Sequence, residues 1–408
     1  MRTWTFQSAG GLLFGRNAID QLPDIAGGLG VKRIFIVTDA ILEKAGVVEK
    51  VGGKLRSANI VLDSFHVDKP EPSVETVRQA TAQAKAFAPD AVLGLGGGSN
   101  MDTAKLVALV LAHGKDATDY TGDCRVPGPV TPFICVPTTA GTGSEVSAAA
   151  VFTDTEKQIK VSCLSPFLRA DAAVVDPLLT VSCPPKVTAD SGIDALTHAI
   201  EAFTACDNDA FPLPSGERSV YQGKNPMADA MAEKAIVLIG KFLKRAVKDG
   251  NDLEARDGMA LAATLAGLAF SNAGVALVHA MEYPVGGAVH VSHGAGNGLL
   301  LPFVMKFNLG NRVAAFAKIR RLLDCEMDSK PTAPEMLSLN ALAESAIEYV
   351  TKLRADIGIP LKLRDIGVKE GMLPGFAAKA FAIKRLMRVN PRMPQNEGEI
   401  LEIYKAAF

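Results

Sequence analysis

Through the first half of the chain, short apolar runs closed by Asp, Gly or Pro alternate with stretches of helical periodicity. Residues 34–37, 91–95, 133–136 and 172–175 are apolar at successive positions rather than at alternate ones. A strand with one face in water alternates, whereas a parallel strand covered on both faces is apolar throughout. These four runs are therefore expected to be buried parallel strands. Residues 73–88 and 102–112 lie between them and are amphipathic or Ala-rich, as helices are. Strand and helix in alternation predict a doubly wound α/β unit.

The pattern changes near Cys183-Pro184-Pro185. Beyond it helical periodicity dominates, over 188–205, 226–248, 252–270, 275–285 and several segments after Asn311, with Thr188 and Asp252 as N-cap candidates. Residues 207–225 are rich in Pro and Gly, have little periodicity and are expected to form a long surface loop. The expected organisation is an α/β dinucleotide-binding domain at 1–183 and an all-α domain at 184–408. Residues 259–281 carry no formal charge and are long enough to span a bilayer. Ser271, Asn272 and Gly274 interrupt them, which fits two buried helices joined by a short break.

Composition removes several function classes. The 408 residues hold 43 basic and 44 acidic side chains, so no basic field exists for nucleic acid or anionic lipid. Cysteines 124, 135, 163, 183, 206 and 325 are scattered without a CxxC pair, which predicts neither a disulfide framework nor a thiolate metal site. The first residues, Met1-Arg2-Thr3-Trp4-Thr5-Phe6, contain no apolar run of the secretory kind, and a cytoplasmic location is expected.

Candidate chemistry begins at Gly94-Leu95-Gly96-Gly97-Gly98-Ser99, between an expected strand and an expected helix. Glycines let a backbone approach phosphate closely, and a helix N-terminus offers free N–H groups and a favourable dipole. Pyrophosphate binding is expected there. Asp39 ends the strand that begins at Ile34; it either receives the adenosine ribose hydroxyls and repels a 2′-phosphate, or is simply a strand-end cap. The first alternative favours NAD over NADP. Pro137-Thr138-Thr139-Ala140-Gly141-Thr142-Gly143-Ser144-Glu145 follows another strand. It could line the nicotinamide side, or serve as a helix entry capped by Thr142 or Ser144.

Of six histidines, three fall in the helical half close to other potential ligands. Asp194 and His198 are spaced i, i+4 and share a helix face. His279 lies on a later apolar helix, and His293 precedes Gly294. One carboxylate with three imidazoles suits Fe(II) or Zn(II) and leaves room for a substrate oxygen. Each histidine alone could equally be a satisfied core residue.

Taken together, these motifs resemble the iron-containing alcohol dehydrogenase family over essentially the whole chain. The resemblance rests on the phosphate loop with Asp102-Thr103-Ala104-Lys105, the 137–145 loop, and Asp190-Ser191-Gly192-Ile193-Asp194-Ala195-Leu196-Thr197-His198-Ala199-Ile200-Glu201. It continues through Gly274-Val275-Ala276-Leu277-Val278-His279-Ala280-Met281, Ser292-His293-Gly294 and Asn390-Pro391-Arg392. It implies a dehydroquinate synthase-like architecture and a homodimer. Asp194, His198, His279 and His293 become the iron ligands by resemblance. Gly96, Gly97, Gly98 and Ser99 would then hold the pyrophosphate, with Asp39 on the ribose and Thr138, Thr139 and Thr142 near the nicotinamide. Lys160 stands where the family often has a lysine near the cofactor.

The implied reaction moves a hydride between a primary alcohol or hydroxy acid and the nicotinamide ring, with the metal as Lewis acid. Many family members carry a second histidine four residues after the His279 equivalent, but Tyr283 occupies that position here. Tyr283 and His290 are the candidate proton acceptors. Tyr283-Pro284, the 221–226 segment and the 242–248 segment also resemble the hydroxyacid–oxoacid transhydrogenase branch, which uses 4-hydroxybutyrate and 2-oxoglutarate. The 283–293 segment is shorter than in that branch. A non-redox reaction of the dehydroquinate synthase kind would need a basic cluster for a phosphorylated substrate, and the helical motifs contain none.

Overall fold

The computed structural model describes residues 3–68, 72–155, 159–324 and 338–408. Cys325 lies outside them, and among the described residues no disulfide joins the other five cysteines. The chain divides into two compact units. Gln7–Cys183 with Arg218–Val220 form one, and Met1–Phe6, Pro184–Glu217 and Tyr221–Phe408 form the other.

The first unit contains strands β1 (Gly11–Phe14), β2 (Arg33–Thr38), β3 (Val61–His66), β4 (Ala91–Gly96), β5 (Gly122–Asp123), β6 (Phe133–Pro137), β7 (Ala149–Asp154), β8 (Ile159–Leu164) and β9 (Ala172–Val175). Six of them make an all-parallel sheet in the order β1-β9-β6-β4-β2-β3. The four apolar runs of the sequence are its inner strands, and Ile34, Val37, Leu93, Leu95, Ile134, Val136 and Val174 are buried in them. On one face Ile34, Leu93, Leu95, Ile134, Val136 and Val174 pack with Leu22, Val51 and Leu55 from flanking helices. β3 is an edge strand, and its partly exposed residues match that position. A separate sheet, β5-β8-β7, pairs β7 and β8 antiparallel.

The order of the strands positions the chemistry. β2 and β4 are neighbours in register, Val37 opposite Gly94. Asp39, just past β2, and the glycine loop, at the end of β4, therefore emerge side by side. The helix after β4 begins at Gly98, four residues before the expected Asp102, with Gly97 as its N-cap. In the sequence the glycines resemble an open turn. In the fold, the last of the three already belongs to the first helical turn. Thr142 and Ser144 cap no helix: the 137–145 loop ends in turns that lead into β7.

The second unit is helical. Pro185–Thr204, Pro226–Lys248, Leu253–Ala273, Leu277–Val289 and His293–Asn308 are followed by Val313–Leu323, Leu339–Asp356, Leu373–Ala382, Lys384–Val389 and Glu397–Ala407. Asn225 and Asp252 cap their helices through side-chain oxygens. Thr188 is not an N-cap. Its helix starts at Pro185, where proline sacrifices only an N–H that would have no helical partner, and Thr188 Oγ1 instead accepts from Arg256 Nη1 at 3.0 Å inside the unit.

Helices Leu253–Ala273 and Leu277–Val289 meet at 106° across a short break. Nearly all residues of the apolar 259–281 stretch are buried within it. No single described helix is long and apolar enough to cross a membrane. The 207–225 segment contains only a short 3-10 turn and one bridge, Asp207 with Lys224.

Candidate functional site

The helical unit brings Asp194, His198 and His279 together. One ligand atom from each lies within 4.8 Å of the others, and all three residues are buried. Asp194 and His198 are one turn apart on Pro185–Thr204, with Asp194 Oδ1 3.9 Å from His198 Nε2. His279 enters from the first turn of Leu277–Val289 and stacks on His198 at 4.8 Å between ring centroids. Phe270 covers the other side of His198 at 4.3 Å. Burial pushes the Asp194 carboxyl upwards, but the surrounding imidazoles of His198, His293 and His279, with a hydrogen bond from Asn297, hold it below the usual carboxylate range. The carboxylate form is thus favoured although the side chain is buried.

His293 stands at the first residue of His293–Asn308, outside that three-residue cluster but joined to it through Asn297. Asn297 Nδ2 lies 2.8 Å from Asp194 Oδ1, 3.2 Å from His279 Nε2 and 3.1 Å from His293 Nε2. Acceptor atoms of three residues thus converge on one donor. The start of this helix approaches Asp190 so closely that a Cβ on Gly294 would sit 2.0 Å from the Asp190 carbonyl oxygen, and only glycine fits. Ser292 Oγ donates to the Asp190 carboxylate from the same turn.

Two buried glutamates set the imidazoles. Glu201 Oε2 lies 2.6 Å from His279 Nδ1, and Glu282 Oε2 contacts His293 Nδ1. A carboxylate beside Nδ1 keeps the proton there and leaves the Nε2 lone pair facing inward, as divalent metal ligands require. One carboxylate and imidazole nitrogens turned inward by outer carboxylates fit a divalent first-row ion.

Sequence reasoning missed Glu201, Glu282 and Asn297 in these roles. A signal existed: Glu201 is seven residues after Asp194, Glu282 three after His279, and Asn297 four after His293. Each spacing returns to the same helix face.

Tyr283 is half-buried, its ring centroid 6.0 Å from that of His293. His290 is exposed, in the left-handed conformation (φ 55°) at the C-cap of Leu277–Val289.

In the α/β unit, Gly97 and Gly98 open the helix Gly98–His113, whose N-terminus faces the end of β4. The 137–145 loop is folded onto it. Thr138 N donates to Gly96 O at 3.0 Å, and Cβ atoms added to Gly97 and Gly98 would meet Thr139 and Thr142 respectively. Asp102 fastens the two segments by accepting from Ser144 Oγ and from Val151 N at 2.9 Å. Ser99 carries the next peptide of the helix. Asp39 caps the short helix after β2: its Oδ1 accepts from Ile41 N (2.9 Å) and Leu42 N (3.0 Å), while Oδ2 accepts from Asn100 Nδ2 (2.8 Å). Asp39 is thus a helix cap and at the same time borders the glycine loop, two roles that do not exclude one another. Lys160 is half-buried on β8 opposite Thr153, in the three-stranded sheet.

Comparison with known proteins adds a second line of evidence. A family model described as iron-containing alcohol dehydrogenase matches residues 10–177, and one for the C-terminal part of the Fe-containing alcohol dehydrogenase family matches 216–408. The chain is 39% identical to long-chain-alcohol dehydrogenase 1 of Geobacillus thermodenitrificans, over 97% of this chain and 94% of the relative. It is 36% identical to the NAD-dependent methanol dehydrogenase of Bacillus methanolicus, over 97% of each. A crystal structure of 1,3-propanediol oxidoreductase superposes with a TM-score of 0.91 at 37% identity, covering 100% of both chains.

Proposed function

We propose, since this chain belongs to the iron-containing alcohol dehydrogenase family, that it oxidises a small primary alcohol to its aldehyde with NAD as hydride acceptor and Fe(II) as resident metal. The protein is an alcohol–aldehyde oxidoreductase linked to a nicotinamide coenzyme. Methanol and 1,3-propanediol, named for the relatives above, are both primary alcohols. The observation that carries the metal reading is the buried convergence of Asp194, His198 and His279, with His293 tied in through Asn297.

Bound there, a divalent ion supplies Lewis-acid polarisation of the alcohol oxygen. The chain's own residues do the rest. Asp194 contributes the anionic ligand and His198, His279 and His293 the neutral ones, while Glu201 and Glu282 hold the Nδ1 protons of His279 and His293 away from the ligand side. Tyr283, whose ring centroid lies 6.0 Å from that of His293, is the first candidate for taking the alcohol proton, and His290 would take part only from its exposed helix end. On the coenzyme side, the N–H groups of Gly96–Ser99 receive the pyrophosphate at a helix N-terminus, and Asp39 receives the ribose hydroxyls. Thr138, Thr139 and Thr142 line the nicotinamide end, with Lys160 as a further cofactor contact. The transhydrogenase alternative is not favoured, because the relatives named above are dehydrogenases.

The test is anaerobic reconstitution with Fe(II) or Zn(II), followed by NAD reduction with a series of primary alcohols and with 4-hydroxybutyrate, with and without 2-oxoglutarate. Free NADH accumulating with primary alcohols after Fe(II) loading is the expected result. Turnover of 4-hydroxybutyrate only when 2-oxoglutarate is present, without free NADH, would overturn it. Activity restored by Zn(II) alone would reassign the metal.

A further inference from the structure

We infer that Asn100 is a coenzyme-specificity residue: its side-chain amide locks the Asp39 carboxylate to the glycine loop and so sets the preference for NAD over NADP. The inference rests on the reading that Asp39 meets the adenosine ribose.

Asn100 is buried in the first turn of Gly98–His113. Its Nδ2 carries two hydrogens and has two acceptors, Asp39 Oδ2 at 2.8 Å and the Leu95 carbonyl at 3.1 Å. A buried amide in this state has no reason to rotate. The amide lies directly over Gly96, where a Cβ would come within 2.0 Å of Nδ2 and where φ is +144°. Glycine at 96 is therefore what makes space for the link.

At Asp39, each carboxylate oxygen is held from a different side. Oδ1 takes the two N–H groups of the helix it caps, and Oδ2 takes Asn100. Without Asn100 the cap alone would let Oδ2 swing about the Oδ1 anchor. With it, the carboxylate keeps one orientation and a fixed distance from the phosphate loop, because the same amide also grips the end of β4 through Leu95 O.

The chemistry of the donor matters as much as its position. Lys or Arg in this place would neutralise the carboxylate and welcome a 2′-phosphate. A neutral amide orients the carboxylate and leaves its charge intact. A 2′-phosphate approaching Asp39 would then meet a full negative charge that cannot turn aside.

The test is a cycle of Asn100→Ala, Asp39→Gly and the double variant, with NADH and NADPH dissociation constants read by fluorescence and kcat/KM for both coenzymes read on the metal-loaded enzyme. Asn100→Ala is expected to reduce the preference for NADH about tenfold, the worth of one hydrogen bond to a charged group, through binding and KM rather than kcat. In the Asp39→Gly background the same substitution is expected to change the preference no further. Asn100→Leu, which fills the buried site without an amide, should give the same loss and separates the effect from a cavity. An unchanged preference in Asn100→Ala and Asn100→Leu, alongside a reduced one in Asp39→Gly, would overturn the role of Asn100 and leave the ribose reading standing. An equal effect in the Asp39→Gly background would also overturn it. If Asp39→Gly itself leaves the preference unchanged, the ribose reading fails, and this role with it.

Discussion

Glu201 reaches from one helix to the start of another and holds His279: its Oε2 lies 2.6 Å from His279 Nδ1, and its two oxygens also accept the backbone N–H groups of Ala276 (2.9 Å) and Val278 (2.7 Å). A buried carboxylate must be matched by donors, and this one has three. The same contacts fix the entry of Leu277–Val289 and the tautomer of its first-turn histidine. Glu201→Gln keeps the shape but cannot serve every donor as an acceptor. Metal affinity is expected to fall about 10- to 100-fold, as when outer partners of metal-bound histidines are lost. Competition with a chromophoric chelator measures it, and an unaltered dissociation constant would contradict the assigned role.

Glu282 plays the equivalent part for His293, from a side chain with no solvent exposure. Glu282→Ala leaves His293 Nδ1 without this carboxylate and lets the ring turn. The visible absorption of the Co(II)-substituted protein should shift as the ligand field changes, and Glu282→Gln should restore part of the parent spectrum. Identical spectra in all three proteins would show that His293 is oriented by something else.

Asp194 and His279 supply two of the three converging ligand atoms of the cluster. Replacing either by Ala is expected to abolish both metal retention, measured by elemental analysis after dialysis, and alcohol-dependent NAD reduction. Full activity in metal-stripped Asp194→Ala protein would remove the metal from the reaction.

Lys105 tests the scaffold rather than the chemistry. Its side chain is fully buried, and Nζ donates to Ser147 O (3.1 Å), Ser147 Oγ (3.2 Å) and Ala149 O (2.7 Å), with Asp102 Oδ1 at 3.8 Å. Burial drives its pKa below the ordinary lysine value, against the attraction of Asp102. A lysine whose folded pKa is depressed destabilises the fold while the unfolded chain binds the extra proton. Its contribution therefore improves as pH rises from the folded pKa towards the unfolded value. Lys105→Ala removes the donor from two buried carbonyls and the Ser147 hydroxyl, at a cost of about 1–3 kcal/mol. Urea unfolding of the two proteins compares them, and a loss below about 1 kcal/mol would mean that water replaces the ammonium.

The amino-acid pattern by itself marked the inner strands, because a strand covered on both faces is apolar at every position and these runs are short and closed by Asp, Gly or Pro, whereas similar runs such as Ile236–Ile239 sit within longer helical stretches. It also determined that Asp194 and His198 share a face, since one helical turn separates them whatever the surroundings. The resemblance of the ordered motifs carried the family and the four ligand candidates.

Tertiary structure decided what no single element contains. Helix starts moved where prolines or glycines fitted the first turn, at Pro185 and Gly98. The carboxylates that orient His279 and His293 could be placed only once the packed helices showed which acid faces which ring: Glu201 crosses between helices, and Glu282 turns from its own helix to the next. Asn100 and Asp39 are 61 residues apart and meet only because β2 and β4 are neighbours in the sheet. Local spacing encodes what lies on one face of one element. Which faces meet is set by burying apolar surface across the whole unit, and the polar contacts that tune a site are made where those faces come together.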